Sequence, residues 1–288
     1  MKLAIGTAQF GLDYGVSNSL GKVSQDGIGR ILATATSKGV KTIDTASAYG
    51  KSEEALGKAG VASFDVVTKF GEVPKKTIDV KKWVNEQIEA SLLKLNINSI
   101  YGLLLHRPDE LLGSNGDIIY KALSEAKSDG LIKNIGISIS DPIELNKIID
   151  RFDIHIVQAP MNIFDRRLHS SGWLGRLNNL GVEVHIRSVF LQGLLLMSPE
   201  LRPDYFRQWD RLFQNYDHWL CNSKILAIDA CLGFINQFSA IDRIIIGIAS
   251  PSNLDEILKA LNRQASKLIP SNIQSDDKNL INPAEWPV

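Results

Sequence analysis

Cysteine is nearly missing: only Cys221 and Cys231 occur in 288 residues. That excludes a small secreted domain stapled by disulfides and suits a reducing, cytoplasmic compartment in which both thiols stay free. No stretch approaches the roughly 20 consecutive apolar residues of a membrane span. The apolar run within residues 1–7 is too short for a signal peptide. Charge of one sign is not in excess either, with 32 Lys plus Arg against 32 Asp plus Glu, so no global field draws the chain to nucleic acid or to an acidic membrane. His155, His169, His185 and His218 lack metal-ligand spacing, and no metal is expected. The Gly-rich turn of an open dinucleotide-binding sheet is also missing. Gly6-Thr-Ala-Gln-Phe-Gly11 is not G-x-G-x-x-G, which weakens a doubly wound sheet as the fold.

What is present is rhythm. Apolar runs of four to eight residues alternate with helical patterns, the signature of βαβ units and a parallel sheet. Strands are expected at 3–7, 41–44, 65–69, 99–106, 132–138, 154–160, 182–188 and 243–248. Helices are expected at 24–38, 52–58, 78–95, 117–129, 142–151, 170–180, 224–238 and 251–261, with residues 11–21 as a long loop. Ser24 is placed to cap the first helix, whose Ile28, Ile31, Leu32 and Ala35 form one apolar stripe before Gly39 stops it. Eight strands each followed by a helix, in a chain of this length, predict a single-domain (β/α)8 TIM barrel over residues 1–262. The pattern breaks at 190–222, where Phe206, Trp209, Phe213, Tyr216 and Trp219 lie among charges. By length this reads as an active-site loop, its aromatics alternatively forming a satellite core. Residues 263–288 are expected as a tail packed near the barrel mouth, with Trp286 either docked or exposed.

In a barrel the C-terminal ends of the strands and the loops after them build the active site. Asp44, Lys69 and His106 each fall at the end of a predicted strand, on three consecutive strands, and Tyr49 follows in the next loop. Asp, Lys and His at three adjacent strand ends are hard to obtain by chance. A tyrosine donates a proton poorly near neutrality, and a neighbouring ammonium improves it by stabilising the phenolate. Lys69 suits that role, with Asp44 holding it charged and His106 orienting a substrate carbonyl. Side chains cannot supply hydride, so protonating a carbonyl oxygen this way requires a nicotinamide cofactor. Lys69 is alternatively a Schiff-base lysine of a barrel lyase. Asp13 and Tyr14 either line the substrate pocket or serve a simple turn.

The run Thr42–Gly50 with Ser52-Glu-Glu-Ala-Leu-Gly57, then Thr68-Lys69 and Leu105-His106, resembles the aldo-keto reductase superfamily, in its compact bacterial form. Weaker matches continue through Gly136-Ile-Ser138, Gln158, Ser188 and Ile246-Gly247. The resemblance implies a (β/α)8 barrel, an Asp44, Tyr49, Lys69 and His106 tetrad with Tyr49 as general acid, and NADPH as cofactor with NADH not excluded. It implies cofactor contacts from Gly6, Thr7, Ser138, Gln158, Arg187, Ser188, Phe190, Gly193, Gly247, Ser250 and Asn253. The expected partner is a small carbonyl substrate, and the expected assembly is a monomer or weak homo-oligomer. Three features depart from the family. Ile139 stands where Asn usually follows the strand-five serine, and Arg187 stands where a tyrosine usually stacks on the nicotinamide. No Lys or Arg follows strand eight. These departures motivate an alternative, a nucleotide-binding sensor or regulatory barrel with little turnover.

Overall fold

The computed structural model describes residues 1–18, 21–263 and 268–287. Residues 19–20 of the expected first loop, and 264–267 and 288 of the expected tail, lie outside the described residues.

Eight parallel strands close on themselves: β1 (Leu3–Gly6), β2 (Thr42–Asp44), β3 (Asp65–Phe70), β4 (Ile100–Leu105), β5 (Ile132–Ser138), β6 (Ile156–Pro160), β7 (Glu183–Arg187) and β8 (Arg243–Gly247). Closure is made by β1 against β8, with Leu3 opposite Ile244 and Gly6 opposite Gly247. The helices wrap the outside because their stripes face the strands. Ile28, Ile31, Leu32 and Ala35 of Gln25–Ser37 are all buried, and the Ser24 hydroxyl accepts from the Gly27 amide at 3.2 Å to cap that helix.

Successive strand residues point to opposite sides of a sheet. Inside the barrel, Val67, Leu104 and Ile156 form a small dry cluster, against which Tyr101 packs. A Cβ on Gly102 would meet Ile156 Cδ1 at 2.7 Å, so that layer is full. Two residues further along the same strands stand Lys69, His106 and Gln158. The period of two therefore sets a polar layer directly above the apolar one. On β7, Val184 and Ile186 join the outer core, which leaves Glu183, His185 and Arg187 on the inner face.

Three expectations need correction. The expected helix at 142–151 is a 3-10 turn, Pro142–Glu144, and one helical turn, Leu145–Ile148. Asp141 and Glu144 capture the entering amides in a capping box and start the segment as a tight turn. The expected loop at 190–222 is irregular only in its first half, because Asp210–Ser223 is a helix. Phe206, Phe213 and Tyr216 are buried there in the main core. Trp286 is docked: its ring meets Phe206 edge-on at 4.8 Å and its indole N–H donates to the Leu280 carbonyl at 3.1 Å.

Candidate active site

Asp44 is the last residue of β2; Lys69 is one short of the end of β3, and His106 is one past the end of β4. The Lys69 side chain is fully buried, yet each of its three N–H groups has a partner. Nζ donates to Asp44 Oδ1 at 2.9 Å, to Oδ2 at 2.8 Å and to the Thr45 carbonyl at 2.8 Å. Burial pushes the Lys69 amine down, and the charges of Asp44 and Tyr49 more than restore it, so its pKa ends above the usual value. Gln158 donates to Asp44 Oδ1 at 2.7 Å and accepts from the Ser138 hydroxyl at 3.2 Å. One network thus joins β2, β3, β5 and β6.

Tyr49 stands on the turn after β2. Its amide donates to the Ala46 carbonyl at 3.0 Å, and its carbonyl accepts from the Ser52 amide at 3.0 Å. The Lys69 ammonium lies 5.2 Å from the Tyr49 ring centroid, and the His106 ring stands edge-on to it at 6.2 Å. Neither the Tyr49 hydroxyl nor the His106 ring has a hydrogen-bond partner among the described residues, so both polar tips remain available to a ligand. Burial, then the charges of Lys69 and Arg187, lower the His106 pKa to about 4, so the imidazole is neutral near pH 7.

Two glycines hold this turn, and the sequence reading did not single them out for it. A Cβ on Gly11 would sit 1.8 Å from the Tyr49 carbonyl oxygen and 2.6 Å from the Ser52 nitrogen. Gly50 adopts φ +57° with its own Cβ position 2.7 Å from the Gly11 oxygen. The two backbones touch at a distance that only glycine permits. Thr7, implied as a cofactor contact, is fully buried, and its hydroxyl donates to the Asp44 carbonyl at 2.9 Å, which braces β2. Gly6 is buried beside it against Ile245.

The remaining implied residues form the opposite wall. Arg187 ends β7, and Ser188 follows with φ +60°. Leu191 and Gln192 also adopt positive φ, an uncommon run for non-glycine residues. Asn162, also absent from the sequence reading, props that turn. Its Oδ1 accepts from the Phe164 and Asp165 amides, and its Nδ2 donates to the Ser188 carbonyl at 3.1 Å. Its signal would have been an Asn two residues past the end of β6. Phe190 packs against the core, and Gly193 lies against Ser17. Tyr14 receives a hydrogen bond from Gln192 at 3.2 Å, tying the loop after β1 to the loop after β7. At the end of β8, Gly247 is exposed, and Ser250 caps the helix Pro251–Asn262 by accepting from the Asn253 amide at 3.1 Å.

The model of the Aldo/keto reductase family matches residues 2–274, nearly the whole chain and all of the site just described. The chain belongs to the aldo/keto reductase family. Among curated proteins it is similar to the uncharacterized oxidoreductase YqkF of Bacillus subtilis, at 28% identity over 180 residues, which is 59% of this chain and 58% of that protein. An aldo-keto reductase of Mycobacterium sp. (strain KMS) is 29% identical over 182 residues, 59% of this chain and 61% of that protein. The match thus spans about three fifths of the length of these relatives. Among solved structures, aldo-keto reductase AKR11C1 from Bacillus halodurans, in its holo form, superposes with a TM-score of 0.72 at 21% identity, covering 94% of this chain and 89% of that one. The putative aldo-keto reductase PA4992 of Pseudomonas aeruginosa gives 0.68 at 21% identity, covering 92% and 91%. For this family member, no helix among the described residues is long and apolar enough to cross a membrane.

Proposed function

We propose that the protein reduces an aldehyde or ketone to an alcohol with NAD(P)H, using Tyr49 as the general acid. The observation that carries this reading is the Lys69 ammonium, held by Asp44 and Thr45 at 5.2 Å from the ring of a tyrosine whose hydroxyl has no protein partner. The ammonium's field favours the phenolate that donation leaves behind. Neutral His106 offers a ring N–H to the same carbonyl oxygen, and the two groups together polarise it. The nicotinamide supplies hydride to the carbonyl carbon.

The residues present fit such a cofactor. Gln158 has one amide N–H beyond the one given to Asp44, and the Ser138 hydroxyl oxygen still has lone pairs, a set that suits a carboxamide. Gln9 Oε1 is buried without a partner, 3.4 Å from where a Gly247 Cβ would lie. A ligand passing the bare Gly247 backbone would meet that acceptor. For a phosphate, the end of β8 offers Ser250, Ser252, Asn253 and a helix N-terminus, with no cation in that segment, so NADPH and NADH are both accommodated. A Schiff base on Lys69 is disfavoured, since its amine is charged and all three hydrogens are engaged. The free thiols of Cys221 and Cys231 suit a cytoplasmic setting.

The test is NADPH oxidation with a panel of simple aldehydes and ketones, run on the parent chain and on Tyr49→Phe. Tyr49→Phe should lose reduction by about 100-fold or more while keeping nucleotide binding and, because its hydroxyl has no protein partner, stability to within roughly 1 kcal/mol. A Phe variant that reduces carbonyls at the parent rate removes Tyr49 as the acid, and a folded chain that binds no nicotinamide nucleotide ends the reading.

A further inference from the structure

Arg187 stands where the family usually places an aromatic ring, and its surroundings give it no countercharge. Its Nη1 donates to Ser188 Oγ at 3.2 Å, and its Nη2 donates to the Ile139 carbonyl at 3.0 Å and to Ser140 Oγ at 3.4 Å. All three acceptors are neutral. A guanidinium has five N–H donors, so two remain. Arg167 and Arg202, also partly buried, behave differently: Arg167 pairs with Asp165 and Asp141, and Arg202 takes Asp217 through both terminal nitrogens.

The charges of the inner barrel show what is left over. On β7 below Arg187, Glu183 accepts from Tyr101 and meets His185, so that level is internally matched. In the catalytic layer, Asp44 is bound through both oxygens by Lys69, and the pair cancels. Arg187 therefore leaves one positive charge over the site. Its field reaches Tyr14, Lys69 and His106, the groups that surround the Tyr49 hydroxyl. A half-buried guanidinium fixed by neutral oxygens is a ready seat for an anionic oxygen group.

We propose that Arg187 is the counter-ion for a carboxylate on the carbonyl substrate, so the substrate class is an oxo acid or a carboxylate-bearing aldehyde. This rests on the reductase reading above and narrows it. The substrate is a better source of the anion than the cofactor for two reasons. Arg187 is anchored to Ile139 and Ser140, next to Ser138 of the Tyr49 layer, while phosphate-binding groups lie at the end of β8. A lone cation also opposes the positive charge that the nicotinamide gains on oxidation, and a substrate carboxylate offsets it.

The experiment compares 4-carboxybenzaldehyde with its neutral methyl ester, using NADPH and the full chain, in the parent, Arg187→Gln and Arg187→Lys. Binding of benzoate against benzamide is measured by calorimetry alongside. The parent should favour the acid over the ester by about ten- to hundredfold in kcat/KM, chiefly through KM. Arg187→Gln should bring that ratio near one and weaken benzoate binding, and Arg187→Lys should restore part of both. Equal kcat/KM for acid and ester in the parent overturns the proposal. So does an unchanged acid preference in Arg187→Gln with weakened NADPH binding, which would assign the charge to the cofactor. If neither aldehyde is reduced, the reductase reading fails, and the benzoate arm still decides Arg187: an affinity that Arg187→Gln leaves unchanged overturns its role, and a loss supports it.

Discussion

Asp44→Asn removes the only carboxylate touching an ammonium that has no access to water. In the parent, Lys69 spends two N–H groups on Asp44 and one on Thr45, with its side chain fully buried. The variant keeps the shape of residue 44 and strands the cation. Breaking a buried pair from one side costs about 3–5 kcal/mol, since the surviving charge has lost its partner but stays out of water. Lys69→Met should cost a similar amount, because Asp44 then keeps only the Gln158 amide, at 2.7 Å. The double variant removes both charges. Its remaining debt is the unpartnered Thr45 carbonyl, about 1–3 kcal/mol. The two substitutions should therefore be strongly non-additive, the double variant being more stable than either single one. Urea denaturation measures this, since the single losses leave a domain of ordinary stability folded.

A pH arm checks the cause. In Asp44→Asn, burial still pushes the Lys69 amine down and the carboxylate no longer holds it up. The folded variant then prefers the neutral amine, while the unfolded chain binds a proton up to about pH 10.4. The unfolded state holds more protons across that window, so stability of the variant should rise as pH climbs from about 6 to 9. Additive losses in the cycle, or a flat pH response in Asp44→Asn, would refute the reasoning.

Gly11→Ala forces a methyl to within 1.8 Å of the Tyr49 carbonyl oxygen, so the turn must move. Expected losses are about 1–3 kcal/mol in stability and about 10- to 100-fold in kcat from displacing Tyr49; unchanged kcat would show that the contact does not set the turn. His106, held down to about 4, should show no ionisation in the pH–rate profile between pH 5 and 8. Because its folded pKa is lowered, the unfolded chain takes up the proton first. Stability should fall as pH drops from 6.5 towards 4, by up to about 3 kcal/mol. A His106 imidazole titrating near 6.5 by NMR would contradict this.

The sequence by itself determined the barrel and most of its catalytic group. Apolar runs long enough for one strand, each followed by a helical stripe, leave few architectures that bury both sets of residues. Asp44, Lys69 and His106 were legible because each interrupts or ends such a run, and a polar residue there can only face the mouth. The buried aromatics of 206–216 were harder to place. Charges lie between them, and the helix Asp210–Ser223 forms against side chains far away in the chain, Trp286 among them through Phe206. Only tertiary structure decided which groups share a layer, since that depends on strand parity and on closure of β1 against β8. It also decided that Thr7 braces Asp44 and that Gly11 fixes the Tyr49 turn. Likewise, Arg187 carries an uncancelled charge because its neighbours across the sheet, Ile139 and Ser140, present only neutral oxygens. These are contacts between residues 37 to 48 positions apart, or across a gap that only the folded backbone closes, and no local pattern encodes them.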